Sequence, residues 1–130
     1  MTDERTPSMH SPTSRTTAEH YLWSGQCDGW HLVRDPQLSV IEERMPPATK
    51  EQRHRHSRAR QFFYVLAGEL TMEVEGKRHR LEARTGIEIP PGTAHQALNE
   101  SETDVEFLVV SSPPSHGDRL AAPDGQGQTF

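Results

Sequence analysis

The sequence predicts one all-β domain folded as a closed sandwich or barrel. Helical periodicity is nearly absent, because no long segment places apolar residues on one face of a helix. Short alternating or β-rich runs recur instead, and 9 Gly and 10 Pro residues interrupt the chain between them. Many short strands of even spacing favour a closed β architecture over an open sheet.

The apolar content divides the chain into a core-forming middle and two polar ends. Hydrophobic residues make up only 32% of the 130 residues, and the mean hydropathy is -0.82. Residues 1–20 and 113–130 are rich in polar residues and Pro, so neither end has enough apolar surface to offset the entropy lost on ordering. We therefore predict a disordered N-terminal tail over 1–20, one barrel over 21–112 and a C-terminal tail over 113–130.

Several runs in the middle of the chain have the composition of strands. The run from Leu70 to Glu75 alternates cleanly, and a hairpin-like break at Gly76 follows it. The run around Phe107 has apolar residues on both faces, which fits a strand between the core and a partner or second sheet. The predicted strands are Trp30–Arg34, Leu38–Met45, Gln52–His56, Gln61–Leu66, Glu69–Glu75, Lys77–Leu81, Gly86–Ile89, His95–Asn99 and Asp104–Ser111.

Composition argues against several functional classes. The net charge is -5 and the pI is about 5.9, so the electrostatic field of the whole protein would not attract a nucleic acid. The single cysteine, Cys27, excludes an internal disulfide and any paired-cysteine zinc or redox motif. No apolar run approaches the ~20 residues that span a bilayer, and no secretory signal is recognisable. We expect a soluble cytoplasmic protein that binds neither nucleic acid nor membrane.

Two histidines in one predicted strand point to a metal site. Side chains two residues apart in a strand lie on one face with Cα atoms ~6.7 Å apart, so His54 and His56 can reach one ion at ~2.1 Å. Continuing the strand would put Arg58 and Arg60 on that same face, where they would repel a cation. A turn through residues 57–60 changes the alternation. We therefore predict that Gln61 opens a new strand pointing inward and that the arginines lie at the rim.

A second cluster lies in residues 86–99. Pro90, Pro91 and Gly92 form a rigid turn, because proline presets φ and glycine tolerates a positive φ. This turn would present His95 at the start of the next strand, with Asn99 farther along it.

Together the two clusters resemble the two motifs of the cupin superfamily, in order and separated by a short hairpin. The first motif contains the paired histidines, Gln61 and Gly68; the second runs from Gly86 through the proline turn to His95 and Asn99. The resemblance covers about residues 46–111 and implies a small double-stranded β-helix, or jelly-roll barrel, that holds one divalent transition metal (Fe, Mn, Ni, Co, Cu or Zn). The implied ligands are His54, His56, Gln61 and His95.

Gln61 departs from the family pattern, since most cupins carry Glu at this position. An amide oxygen coordinates more weakly than a carboxylate and brings no charge, so the charge of the ion stays uncompensated. This should make a bound water or substrate oxygen more acidic. The set of three histidines and a glutamine is similar to that of a cupin isomerase, which favours redox-neutral chemistry. In an alternative arrangement, the amide hydrogen-bonds a metal-bound water.

The resemblance implies a metalloenzyme that polarises an oxygen of a small organic acid, carbonyl compound or sugar-like substrate, in isomerase, cyclase or lyase chemistry. A dioxygenase of the quercetinase type and a non-catalytic metal- or ligand-binding cupin are the alternatives. No general base is evident in the motifs, and an acidic residue could serve only if its strand turns it inward. The candidate bases are Glu42, Glu43, Glu73 and Glu88.

Two further expectations concern the surroundings of the site. Four residues near the motifs are candidates for the substrate pocket: Phe63, Arg60, Asn99 and Leu108. Small cupins are commonly dimeric with strands crossing between subunits, and the apolar faces of residues 30–45 and 104–111 fit a homodimer.

Overall fold

The computed structural model describes residues 10–123, and these residues form twelve strands and no helix. None of the described segments is therefore a helix able to cross a membrane. In chain order, the strands are β1 (Glu19–Trp23), β2 (Cys27–Asp35), β3 (Leu38–Met45), β4 (Thr49–Lys50), β5 (His54–His56), β6 (Arg60–Ala67), β7 (Leu70–Val74), β8 (Lys77–Leu81), β9 (Gly86–Ile89), β10 (His95–Asn99), β11 (Val105–Ser112) and β12 (Arg119–Ala121).

The strands pair into two antiparallel sheets. The first sheet has the order β1-β2-β3-β11-β6-β9, and the second has the order β12-β5-β10-β7-β8, with β4 paired to β10. Neighbours in a sheet are often distant in sequence, as when β11 inserts between β3 and β6. The predicted all-β jelly-roll architecture is confirmed.

The core lies between the inner faces of the two sheets. Along β6 and β11, alternate side chains are buried, with Phe63 and Val65 on one strand facing inward beside Phe107 and Val109 on the other. Met45, Met72 and Leu70 complete the apolar interior from other strands. The two-residue period of a strand therefore accounts for the core positions.

Nine of the observed strands coincide with predicted ones, although their ends differ by a few residues. Strand β5 begins at His54 because residues 51–53 lie outside the ladder, and β2 begins earlier than expected, at Cys27. The sequence patterns missed β1, β4 and β12. Strand β4 has two residues, and all three residues of β12 are exposed, so neither carries an alternating signal.

The ordered strands reach beyond the predicted barrel of residues 21–112. Strand β1 begins at Glu19, and β12 pairs with β5 from within the segment assigned to the C-terminal tail. The remainder of the two predicted tails, residues 1–9 and 124–130, lies outside the described residues.

Gly68 is required where β6 turns into β7. Its φ is +84°, and a Cβ at this position would lie 2.3 Å from the carbonyl oxygen of Asp104. Gly76, in the next hairpin, also has a positive φ of +91°, but a Cβ there would meet nothing within 4 Å. Both glycines therefore have a strained backbone conformation, but only at Gly68 would a side chain also overlap a neighbouring atom.

We expect Gly68→Ala to lower the free energy of unfolding by about 3 kcal/mol, because the methyl group adds a backbone clash to the strain of a left-handed conformation. Gly76→Ala, the matched control, should cost about 1 kcal/mol, from conformational strain alone. Urea unfolding followed by circular dichroism measures both values. Equal losses in the two variants would contradict the close approach of Gly68 to Asp104.

Candidate metal centre

Three histidines converge between the sheets. His54 and His56 lie on β5, His95 begins β10, and His54 and His95 are paired across the two strands. All three side chains are buried. Arg55, between the first two, is exposed, as strand alternation requires. The predicted common face of His54 and His56 is thus observed, and His95 joins it from the neighbouring strand.

Backbone carbonyl groups fix the orientation of each imidazole. The Nδ1–H group of His54 donates to Gln52 O at 2.8 Å, and that of His95 donates to Thr93 O at 2.9 Å. His56 donates in the same way to Asp118 O at 3.2 Å. A carbonyl oxygen only accepts, so Nδ1 carries the proton and the Nε2 lone pair stays free in each neutral ring.

The free nitrogens lie close enough together to share one ion. The three histidines offer ligand atoms within 4.8 Å of one another. The ring centroids of His54 and His95 are 4.4 Å apart, and those of His54 and His56 are 4.8 Å apart. Second hydrogen bonds that orient the ring are typical of metal-binding histidines.

The interior keeps the imidazoles neutral. Burial, followed by the nearby charge of His95, lowers the pKa of His54 to about 3. Burial likewise lowers the pKa of His95 to about 4 and lowers the pKa of His56. Neutral imidazole is the form that binds a metal, so the lone pairs are available at neutral pH.

Gln61 is buried on the inner face of β6, in the opposite sheet. Its side chain is 5% exposed, and Nε2 donates to Ser111 Oγ at 3.0 Å. The Oε1 atom is buried without a hydrogen-bond partner, and so is Nε2 of His95. A buried acceptor without a partner costs ~1–3 kcal/mol. A cation is the partner that suits both acceptors, so the residues present fit a divalent transition metal.

A turn between β5 and β6 brings Gln61 into place, as predicted from the arginine spacing. The carboxylate of Asp118 accepts hydrogen bonds from the backbone N–H groups of Ser57, Arg58 and Ala59, at 3.1, 2.8 and 2.9 Å. The same residue accepts the His56 bond through its carbonyl oxygen. Asp118 was missed in the sequence because it lies in a polar, proline-containing segment with no strand pattern.

The structure brings one of the four predicted pocket residues to the histidines. The ring of Phe63 lies 5.9 Å from that of His95. Arg60 and Leu108 lie on the outer faces of their strands, and Arg60 pairs there with Glu88. Asn99 is buried, but its amide is bonded within the chain, as a donor to Met45 O and Thr103 O and as an acceptor from Ser101.

Only one of the four candidate bases faces inward. Glu42 and Glu88 pair with Arg15 and Arg60 on the outer face of the first sheet, and Glu73 is buried in an ion pair with Arg53. Glu43 instead accepts a 2.8 Å hydrogen bond from the hydroxyl group of Tyr21. Burial, followed by the charge of Glu51, raises its pKa to about 8.

Sequence reasoning missed two further polar groups beside the histidines. The Oε2 atom of Glu51 lies 4.0 Å from Nδ1 of His54 and accepts a hydrogen bond from Ala97 N at 2.9 Å. Nη2 of Arg119 lies 3.9 Å from the other oxygen of Glu51. Glu51 lies in a segment without alternation and Arg119 in the predicted tail, so no sequence signal linked them to the site.

A comparison of the sequence with models of protein families agrees with this fold. The family model described as the cupin domain covers residues 41–111, which contain all three histidines and Gln61. The chain belongs to the cupin family. Strands β1 and β2 and the segment of Asp118 and Arg119 lie outside the matched residues of this cupin.

Solved structures share its fold at low sequence identity. KdgF from Halomonas sp. aligns with a TM-score of 0.74 and 22% identity, over 82% of this chain and 96% of that one. The polyketide cyclase RemF from Streptomyces resistomycificus gives 0.77 and 17%, over 91% and 89%. Pac13, a nucleoside dehydratase, gives 0.73 and 16%, over 88% and 92%.

One curated relative is more similar in sequence. The oxidoreductase macE from Penicillium terrestre is 29% identical over 90 residues. The match covers 66% of this chain and 35% of the relative, so the chain spans about a third of that protein's length.

The lowered pKa values predict a stability that depends on pH in the metal-free protein. Unfolded imidazoles take up protons near pH 6.5, whereas His54 and His95 stay neutral in the folded state down to about pH 4 or below. For these two rings the unfolded state therefore binds more protons over this range, so their contribution to stability falls as the pH falls, whereas the raised pKa values of Glu43 and Glu51 contribute in the opposite direction. We expect each of the two rings to account for a loss of about 2 kcal/mol between pH 7 and pH 4.5.

Urea unfolding at a series of pH values, in the presence of a chelator, measures this dependence. A variant carrying both His54→Gln and His95→Gln lacks this contribution, so its stability relative to the wild type should rise as the pH falls. A difference between the two proteins that stays constant from pH 7 to pH 4.5 would contradict the neutral, buried state of the two rings.

Proposed function

We propose that this cupin is a metal-dependent enzyme of redox-neutral chemistry, acting on a small carbonyl compound, organic acid or sugar-like molecule. One observation carries the proposal: three buried histidines offer ligand atoms within 4.8 Å of one another, and Nε2 of His95 is buried without a hydrogen-bond partner. A divalent transition metal at this point would supply Lewis-acid polarisation of a substrate oxygen.

The names of the solved relatives support this class of chemistry. A polyketide cyclase and a nucleoside dehydratase share the fold, and neither name describes a net oxidation. Their identities to this chain are below 25%, so the support concerns what the fold accommodates. The neutral donor set gives a second reason, because without a carboxylate ligand the ion keeps its full charge to polarise an oxygen.

In this mechanism, the residues of the chain bind, orient and exclude water. The bond from Gln61 Nε2 to Ser111 Oγ fixes the orientation of the amide and leaves its Oε1 atom as a buried acceptor without a partner. Phe63 covers His95 from the opposite sheet and limits the entry of water, which strengthens electrostatic interactions inside the cavity.

An oxidative function is the second candidate, because the curated relative macE is named an oxidoreductase. A dioxygenase of the quercetinase type would consume oxygen with phenols or diketones, whereas an isomerase, cyclase or lyase would change the NMR spectrum of its substrate without oxygen uptake. Oxygen-electrode and NMR assays on the same preparation distinguish the two.

Metal analysis tests the proposal directly. We expect protein purified without chelator to contain about one divalent metal per chain, and His95→Ala to lose it, because three ligands from two strands are needed to hold the ion. Inductively coupled plasma mass spectrometry measures the content. A wild-type protein that binds no divalent ion would overturn the proposal.

The role of Gln61 is tested by Gln61→Glu. A carboxylate at this buried position should raise the affinity for Mn²⁺ at least about tenfold, equivalent to ~1.4 kcal/mol, because it adds a negative charge beside the cation. Gln37→Glu, at an exposed turn, is the matched control and should leave the affinity unchanged. Isothermal titration with Mn²⁺ measures both. Equal affinities in the two variants would remove Gln61 from the ligand set.

We also propose that the cupin forms a homodimer through the outer face of its first sheet. Apolar side chains form a continuous stripe there, since Val110 is paired with Val40 and with Phe62, and Leu108 with Tyr64. Phe62 is 41% exposed. A second copy would cover the stripe with an equally apolar surface, as twofold interfaces do.

The free, buried thiol of Cys27 supports a cytoplasmic location.

Phe62→Lys should convert the dimer to a monomer, because it places a charge at the centre of the apolar stripe. Leu22→Lys is the matched control, since Leu22 is 65% exposed on β1 and lies outside the stripe. Size-exclusion chromatography with light scattering measures the mass. A wild-type monomer would refute the dimer, and a dimeric Phe62→Lys variant would refute this interface.

A further inference from the structure

Strand β12 brings an arginine to the inner face of the second sheet. Arg119 is paired with His56 across the ladder between β12 and β5. Side chains paired directly across an antiparallel ladder lie on the same face of the sheet. His56 is buried between the sheets, so the side chain of Arg119 starts on the face that carries the histidine cluster.

The guanidinium group of Arg119 extends to the hydrogen bond that orients His54. Its Nη2 atom donates to Gln52 O at 3.2 Å, and this oxygen also accepts the Nδ1–H group of His54 at 2.8 Å. One carbonyl oxygen therefore holds both the arginine and a candidate metal ligand. Although β12 lies at the edge of the sheet, this contact keeps the guanidinium group beside the cluster.

The charge of Arg119 acts on the whole histidine cluster. Burial is the main cause of the lowered pKa of each of the three histidines, and the positive charge of Arg119 is a further cause in every case. Because the interaction between charges weakens with distance, an effect on all three rings agrees with a guanidinium group close to the cluster.

Most donors of this guanidinium group are available to a ligand. The group has five N–H donors, and within residues 10–123 its hydrogen bonding is limited to the contact with Gln52 O. Glu51 is the one carboxylate within 4.0 Å in this part of the chain, but its Oε1 atom lies 3.9 Å from Nη2, too far for a hydrogen bond. The Arg119 side chain is 46% exposed, so a solute can reach it from solvent.

A metal-loaded site would be rich in positive charge. The histidines and Gln61 are neutral donors, so they would not compensate the two charges of a divalent ion. Arg119 adds a third positive charge beside the same cluster, and Glu51 can offset one of the three. Negative charge on a ligand is therefore favourable here, and a planar carboxylate matches the paired N–H groups of a guanidinium.

We propose that Arg119 is a substrate-binding residue of this site and that the substrate is a small organic acid whose carboxylate pairs with the guanidinium group. The inference rests on the proposed function, because another oxygen of the same molecule must be held at the histidine cluster. It goes beyond that function in selecting an acid from the three substrate classes. It also names a recognition residue outside residues 41–111, the segment that the family model matches.

Two pairs of hydroxamates test the inference, because a hydroxamate group binds a metal ion and fixes one end of the probe. The monohydroxamates of malonic and succinic acid keep a free carboxylate at the other end, and the matching amides lack its charge. We expect the Zn²⁺-loaded wild-type protein to bind the acid of at least one pair about tenfold more tightly than its amide. Isothermal titration calorimetry at neutral pH measures the affinities.

Arg119→Gln should abolish this preference without changing the affinity for the amide or the Zn²⁺ content, since it removes the charge and the fork of donors. Arg55→Gln is the matched control. Arg55 lies on β5 between the two histidines, but its side chain is exposed on the other face, so the preference should stay at the wild-type value.

A second measurement observes the guanidinium group in the wild-type protein. In protein labelled with ¹⁵N at arginine, we expect the Nε–H resonance that is absent from Arg119→Lys to move when the acid is added and to stay in place when the amide is added. This result would show direct pairing even where Arg119→Gln loses its metal, because a purely structural arginine would not distinguish the two probes.

Equal binding of acid and amide in both pairs, or a preference that persists in Arg119→Gln, would overturn the inference while leaving the metal site intact. An Nε–H resonance that does not respond to the acid would also overturn it. A wild-type protein that binds no divalent metal would overturn the proposed function itself, and the inference with it. A preference that is lost in Arg119→Gln and kept in Arg55→Gln, with Zn²⁺ retained, supports both.

Discussion

Three hydrogen bonds from imidazole Nδ1–H groups to backbone carbonyls are the interactions on which the site depends. Burying an imidazole is unfavourable unless its polar atoms have partners, and each ring here has one partner from the chain. The carbonyl groups of Gln52 and Thr93 lie two residues before the histidines that they orient. The local chain therefore selects the tautomer, and the Nε2 atoms turn toward the cavity in every case.

The third of these bonds connects the site to the end of the described chain. Asp118 orients His56 through its carbonyl and, through its carboxylate, binds the backbone of the turn that leads to Gln61. Two of the four candidate ligands thus depend on a residue outside the family-matched segment. Pairing of β12 with β5 holds Asp118 there, so a short, exposed strand contributes to the order of a buried centre.

Sequence patterns predicted the features that arise from neighbours in the chain. Alternation located nine strands, and the conflict between the histidines and Arg58 and Arg60 predicted the turn that carries Gln61 inward. Contacts made through strand pairing left no such trace. Tyr21 meets Glu43 only because β1, β2 and β3 are adjacent and Gly29 lies between them. The first motif could be predicted because its residues are neighbours in the chain, whereas the contact between Tyr21 and Glu43 could not, because it depends on the pairing of separate strands.

The buried carboxyl groups near the histidines also bear on the glutamine that distinguishes this cupin. Three imidazoles and an amide are all neutral, so a divalent ion would enter the cavity without a charged ligand. Glu51, whose Oε2 lies 4.0 Å from Nδ1 of His54, and Glu73, whose charge acts on His95, are then carboxyl groups that could balance its charge. A cation favours the ionised form of such groups, which burial alone disfavours. A site whose negative charge lies beside the ligands, and not among them, would leave a bound ion strongly polarising.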